Sequence, residues 1–240
     1  MMDRTLKALS LLLSYPTQDL QAAMPEIGDA LVADARLAPS VRAALAALVQ
    51  DLEDGDIYDL QERYVMLFDR SRSLSLNLFE HVHGESRARG GAMVSLIETY
   101  RAGGFESATT ELPDHLPVLL EFLAARPAAE ARDTLADAAH ILDALAARLA
   151  RRDSGYGAAF AALLTLSGSQ ADAAAVAAML ALPDDDPTDL AALDAVWEDT
   201  EVTFGPDPNA GCPQMRDMLA AMDGPRSGAT PAPHPMNRSL

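Results

Sequence analysis

An all-α, single-domain bundle of roughly nine or ten helices with an irregular C-terminal tail is the predicted fold, and three observations predict it. Hydrophobic residues make up 49% of the chain but aromatics only 5%. Much of the apolar share is alanine, a small residue and the best helix former, which favours closely packed helices over sheets. Leucines recur at spacings of three and four along most of the chain up to Phe204. From Gly205 onward Pro, Gly, Asp and Asn dominate and no apolar period survives. The expected division is therefore a helical domain over 1–204 and a flexible tail over 205–240.

Leu6, Leu9 and Leu13 place a first helix over 2–15, stopped by Pro16. Thr17 caps a second, running to about Arg36 through Leu20, Ile27 and Leu31. Pro39 and Ser40 open a third through Leu45, Leu48 and Leu52, which Gly55 ends. Asp56 caps the next, with Ile57, Leu60, Tyr64, Leu67 and Phe68 along one stripe. Residues 71–83 differ. Leu74, Leu76 and Leu78 alternate with Ser73, Ser75 and Asn77, a period of two that predicts an extended connection.

Gly84 marks a turn, and Glu85 and Ser86 begin a helix to about Arg101 with Met93, Leu96, Ile97 and Tyr100 as its buried stripe. Gly103-Gly104 ends it. Pro113 opens another helix, with Asp114 placed at its dipole, through Leu119, Leu120 and Leu123 to Arg126-Pro127. Leu135, Ala138, Leu142, Leu145 and Leu149 give the cleanest period, with Arg148, Arg151 and Arg152 suiting the negative pole of that helix. Two helices follow at about 156–166 and 170–181, then an acidic linker, Asp184–Pro187. A last short helix containing Trp197 is expected over Asp189–Val202.

Charge narrows the function. Lys+Arg 18 against Asp+Glu 36 gives a net charge of -18, a field that repels nucleic acid and anionic lipid and attracts a basic segment. The single cysteine, Cys212, permits no internal disulfide, which fits a reducing compartment. No apolar stretch reaches the ~18 residues that span a bilayer. The N-terminal run lacks a small-residue cleavage site and suits an ordinary amphipathic helix. A cytoplasmic protein without membrane insertion is expected.

Residues 64–117 concentrate the chemistry. They hold His81, His83 and His115, each near a carboxylate, and the aromatics Tyr64, Phe68, Phe79, Tyr100 and Phe105. In an extended segment His81 and His83 project to one side, where a metal-dependent enzyme would share an ion between them. HExxH, CxxC and paired Glu-x-x-His motifs are absent from the sequence. Histidines bonded to neighbouring carboxylates and fixing a loop are the simpler outcome. Asp114-His115 resembles half a catalytic triad, but no Gly-flanked serine or suitable cysteine completes it. The run Arg87–Gly91 is too short to bind nucleic acid, and neither a P-loop nor GxGxxG after a strand occurs. Catalytic residues, a metal and a cofactor are therefore not expected. Aromatics beside acidic groups suit a groove for an amphipathic helix or extended peptide, or else simply a core.

Tyr64–Arg70 (YVMLFDR), followed by Leu78–Arg87 (LFEHVHGESR), resembles the NarJ family of assembly chaperones, often described as the delta subunit of respiratory nitrate reductase. Glu111–Pro117 (ELPDHLP) is similar to the Glu-Pro-x-Asp-His motif of the related TorD and DmsD chaperones. The resemblance extends more loosely from about Leu6 to Phe204. It implies a TorD-like helical fold and no enzymatic activity. It also implies binding to the N-terminal segment of the apo catalytic molybdenum subunit until molybdenum cofactor and iron–sulfur clusters are inserted. Molybdenum cofactor biosynthesis proteins are implied as further partners. Carried onto this chain, the client-contact residues are Tyr64, Phe68, Asp69, Phe79, Glu80, His81, His83, Glu85, Glu111, Asp114 and His115. A permanent structural subunit of a redox complex is the other non-enzymatic expectation.

Overall fold

Helix follows helix through residues 2–83 and 87–184, which the computed structural model describes. Among these residues there are twelve α-helices and no strand longer than an isolated bridge. The first four are α1 (Arg4–Leu12), α2 (Gln18–Ala22), α3 (Met24–Val32) and α4 (Pro39–Asp54). Next come α5 (Ile57–Tyr64), a π-helical turn (Val65–Asp69), a 3-10 turn (Arg72–Leu74), α6 (Leu78–His83) and α7 (Arg87–Ala102). The last five are α8 (Leu116–Ala124), α9 (Ala128–Asp137), α10 (Ala139–Arg151), α11 (Gly157–Ser167) and α12 (Ala173–Leu180). Glu85, the Asp189–Val202 helix, Cys212 and the 204/205 boundary lie outside the described residues.

Local chemistry sets the ends. Asp3 caps α1 by accepting from the Thr5 and Leu6 N–H groups at 3.0 and 3.1 Å. Thr17 caps α2 and Asp56 caps α5, as their positions in the sequence predict. Gly103 ends α7 because a Cβ there would lie 2.6 Å from the Phe122 ring, and Gly104 follows at φ +72°.

α1 packs along α8, α3 along α4, and α10 against α11 and α12. Leu9, Leu13, Leu45, Leu116, Leu120, Leu142, Leu145, Leu149 and Phe160 meet in the centre and are inaccessible to solvent. Each such side chain contributes on the order of 1.5–3 kcal/mol by leaving water.

Three expectations are refined. The single helix over 17–36 is two, because Pro25 supplies no N–H and its ring opposes continuation, so α3 restarts with it in the first turn. The long helix through Leu135 and Leu149 breaks at Ala138, whose carbonyl accepts from both Ile141 and Leu142 N–H. Both α9 and α10 pack on α11, and beyond it α9 reaches α8 and α10 reaches α12. Residues 71–83 are extended only around Asn77. Ser71, Ser73 and Ser75 are buried like Leu74, Leu76 and Leu78, so their alternation marks no solvent face. The serines are satisfied locally, Ser71 Oγ lying 2.8 Å from Ser73 Oγ, and the chain coils into the 3-10 turn and α6.

α7 is thinly covered. Tyr100 is buried, but Met93, Leu96 and Ile97 of its expected stripe are only half-buried, and Val94 is exposed.

Candidate functional site

Two short backbone segments build the site. Leu116 N–H donates to Leu76 O at 2.9 Å and Leu78 N–H to Asp114 O at 3.1 Å. These bonds form an isolated antiparallel bridge centred on Asn77 and His115. The stretch around Asn77 thus pairs with the Asp-His dipeptide. Both are pinned from outside. The Tyr100 hydroxyl donates to Pro113 O at 2.6 Å, and the Ser10 hydroxyl to Pro117 O at 2.7 Å.

Asp114 is inaccessible to solvent, and its Oδ2 accepts from Phe79 N–H, in the first turn of α6, at 3.0 Å. Its sequence position suggests the dipole of α8. Instead it caps α6 from across the bridge, where an anion both satisfies an orphan N–H and meets the positive helix pole. Asp114→Ala is expected to cost about 2 kcal/mol in urea denaturation, and Asp114→Asn, which keeps an acceptor, about half of that. An alanine variant as stable as the parent would show that the bridge holds α6 without the carboxylate.

On one side of the bridge lies a cleft of about 380 Å³ between α1, α8 and the π-helical turn. Leu11, Tyr15, Tyr64, Pro117 and Val118 supply its apolar surface, and Asp69, Glu111 and Glu121 its acidic groups. The π turn, closed by Arg70 N–H to Val65 O at 2.9 Å, sends Phe68 inward and leaves Asp69 exposed. Tyr64 is nearly all core. Its hydroxyl donates to Leu13 O at 2.9 Å, and its ring meets Tyr15 edge-on at 5.6 Å and Phe68 at 5.0 Å. Phe68 packs on Tyr156 in turn.

Electrostatics joins three of these residues. Partial removal from water, then the neighbouring Glu111, raises the Asp69 carboxyl above its ordinary range, while His115 pulls it down. Burial lowers the His115 imidazole below its usual value, against the pull of Glu111, Asp114 and Asp69. The cleft therefore holds neighbouring carboxylates that destabilise one another beside an imidazole disposed to stay neutral. Lys7 lies against Glu121 and neutralises part of this field.

The other motif residues lie elsewhere. Glu80 and His81 line a second cavity, where Glu80 pairs with Arg89 at 3.1 Å. His81 Nε2 is 2.8 Å from Ser75 O, and burial lowers its pKa. His83 stands edge-on to the Phe79 ring at 5.8 Å. Because both histidines are on a helix, residues i and i+2 diverge by roughly 200° rather than sharing a side. The expected juxtaposition of His81 and His83 is thus corrected. Among the described residues, no group of three or more His, Cys, Asp or Glu side chains is placed to hold a metal ion.

Five residues escaped the motif reading. Tyr15, Lys7, Val118 and Glu121 enter the first cleft from α1 and α8, whose leucine spacing signals only packing. Arg148, placed by sequence at a helix pole, is instead 2% exposed. It donates to Ser73 O and Met179 O, both at 2.7 Å. It thereby clamps the segment before α6 to α10 and α12.

The sequence model described as nitrate reductase delta subunit matches residues 34–162. The nitrate reductase molybdenum cofactor assembly chaperone NarJ of Escherichia coli (strain K12) is 44% identical over 205 residues, 85% of this chain and 86% of that protein. "Probable nitrate reductase molybdenum cofactor assembly chaperone NarW" of the same strain is 39% identical over 207 residues, 86% of each chain. A NarJ-named protein of Bacillus subtilis (strain 168) is 34% identical over 155 residues, 63% of this chain and 82% of that one. With a match across more than half of its length and relatives of this extent, the chain belongs to the nitrate reductase delta subunit family.

Proposed function

We propose that this chain is the assembly chaperone of a respiratory nitrate reductase. It binds the N-terminal segment of the apo catalytic subunit and holds that subunit competent for insertion of molybdenum cofactor and iron–sulfur clusters. The observation that carries this reading is the cleft beside the bridge, where an aromatic and aliphatic lining meets Asp69, Glu111 and Glu121. An amphipathic client helix lays its apolar face on Tyr15, Pro117 and Val118 and brings its basic residues to the acidic groups. The net charge of -18 steers such a segment before contact.

Asp114 and the bridge act as the frame, and Tyr64 and Phe68 as the packed floor behind the cleft. The function needs no turnover, only differential affinity for the unfilled client over the finished one. The helical domain, 1–204, carries it, and the work is done in the cytoplasm. Proteins that make the molybdenum cofactor are a second class of partner, meeting the chaperone–client complex.

Calorimetric titration with a synthetic peptide from the N-terminus of the host's catalytic subunit tests this. A length of about 15 to 30 residues suffices for an isolated helix. Saturable binding with Kd near 1 μM or tighter, weakened by salt, is the expected result. Absence of heat at several temperatures removes the assigned client.

A further inference from the structure

The chain's 18 basic residues include a single lysine, Lys7. It lies where α1 and α8 run antiparallel, with Asp3 N–H donating to Ala124 O and the Ser10 hydroxyl to Pro117 O, both at 2.7 Å. Lys7, Ser10 and Leu11, spaced i, i+3 and i+4, share the face of α1 that lines the client cleft. Glu121, one turn beyond Pro117 on α8, takes the Lys7 ammonium on its Oε1. Glu121 therefore carries its own counter-ion. Among the described residues, the other carboxylates of the cleft, Asp69 and Glu111, form no ion pair. We propose that Lys7 is a resident stand-in for a basic side chain of the client, which displaces it from Glu121 on binding. The inference rests on the client cleft described above and names the residue that sets its affinity.

The pair is built to exchange. Its side chains are 30% and 45% exposed, and ion pairs open to water to this degree contribute little to stability, so parting them costs little. Cations that join distant parts of this fold are arginines with several bonds. Arg36 reaches both Asp3 and Asp34, and Arg148 joins Ser73 O to Met179 O. Lys7 instead offers a compact charge on a flexible stem, and its bond goes to a single carboxylate oxygen.

Exchange also balances the charges. When a basic client side chain takes Glu121, one cation replaces another, and the freed ammonium regains its water. The carboxylate is never left unpaired under the client, where desolvation would make it costly. An apolar segment without a basic group covers the pair and gains nothing from Glu121. Lys7 thus lowers affinity for every basic segment by the cost of its own departure, which suits a protein that must also release what it holds.

Calorimetric titration of the full chain with the client peptide, at about 0.15 M NaCl where charges more than ~8 Å apart are largely screened, tests this. Lys7→Met should tighten binding about two- to fivefold. Lys7→Arg, which keeps the charge but can grip both oxygens of Glu121, should weaken it about twofold. In a Glu121→Gln background the gain from Lys7→Met should vanish. Charge alone predicts otherwise. Either parent-like affinity in Lys7→Arg or a gain that persists undiminished beside Glu121→Gln overturns the inference. Direct observation of Lys7 gives a second readout. Protein carrying carbon-13-labelled lysine has one side-chain Cε signal in its NMR spectrum, because Lys7 is the sole lysine. Saturating peptide should move that signal to the position it has in Glu121→Gln. A signal that stays in place while the peptide binds overturns the displacement and leaves the client cleft standing. Failure of the parent and of Lys7→Met to bind the peptide removes the client reading itself, and this inference with it.

Discussion

Arg148→Met lowers the unfolding free energy by about 3 kcal/mol, and with it the Tm by roughly 6–12 °C for a chain of this size. Methionine keeps the length and apolar character of the stem, so little packing is lost. What disappears is a set of donors. Ser73 O and Met179 O each accept from Arg148 at 2.7 Å, and the residue is 2% exposed. Water cannot readily replace it. Replacing both partners of a buried polar pair by apolar groups is often neutral. Here the partners are backbone carbonyls, which no side-chain substitution removes, so their desolvation remains uncompensated. Arg148→Lys, with a single ammonium in place of two separated nitrogens, should recover about half of the loss. Urea denaturation of the three proteins measures this. A methionine variant within about 0.5 kcal/mol of the parent would mean that Ser73 O and Met179 O find other donors.

Arg148 also shows where sequence reasoning stops. An arginine in the last turn of an amphipathic helix is ordinary by charge and position, and only the approach of residues 71–75 makes it structural. The apolar spacings legibly place α1, α4, α5 and α8, because burial of one helical face leaves a period that survives any tertiary arrangement. Pro25 has the chemistry of a break, yet the spacing of Leu20, Ile27 and Leu31 runs across it and predicts one helix where there are two. The break at Ala138 leaves no sign in the sequence, since nothing in alanine's chemistry opposes helix. The alternation at Ser73–Leu78 misled for a physical reason. A period of two signals a strand when one face meets water, and here both faces are buried. At the site, Tyr64, Asp69, Glu111 and His115 stood out as motif residues and do line one cleft. Their partition from Glu80 and His81 follows from the bridge at Asn77 and His115, a contact between segments far apart in sequence that no local pattern encodes.

Reversing Asp69 and Glu111 together, Asp69→Lys with Glu111→Lys, should weaken client-peptide binding by about ten- to a hundredfold while leaving the fold intact. Both residues are exposed, and the Asp69 carboxyl is pushed up by partial burial first and by the nearby Glu111 second. Neither therefore contributes much to folding stability, and a change within about 0.5 kcal/mol is expected on unfolding. Binding differs because a basic client brings the cation that the two carboxylates lack. Rim charges act mainly on association, so the loss should appear as a slower on-rate in surface-immobilised kinetics, with a smaller change in dissociation. Salt supplies the internal control. Parent affinity should fall as NaCl is raised, and the double variant should lose that dependence or reverse it. The single substitutions divide the effect. Asp69→Lys alone places a cation beside Glu111 and satisfies it internally, so it should account for more than half of the total loss. Unchanged affinity and unchanged salt dependence in the double variant would remove this cleft from client recognition and leave the face carrying Phe79 and His83 as the surface to probe.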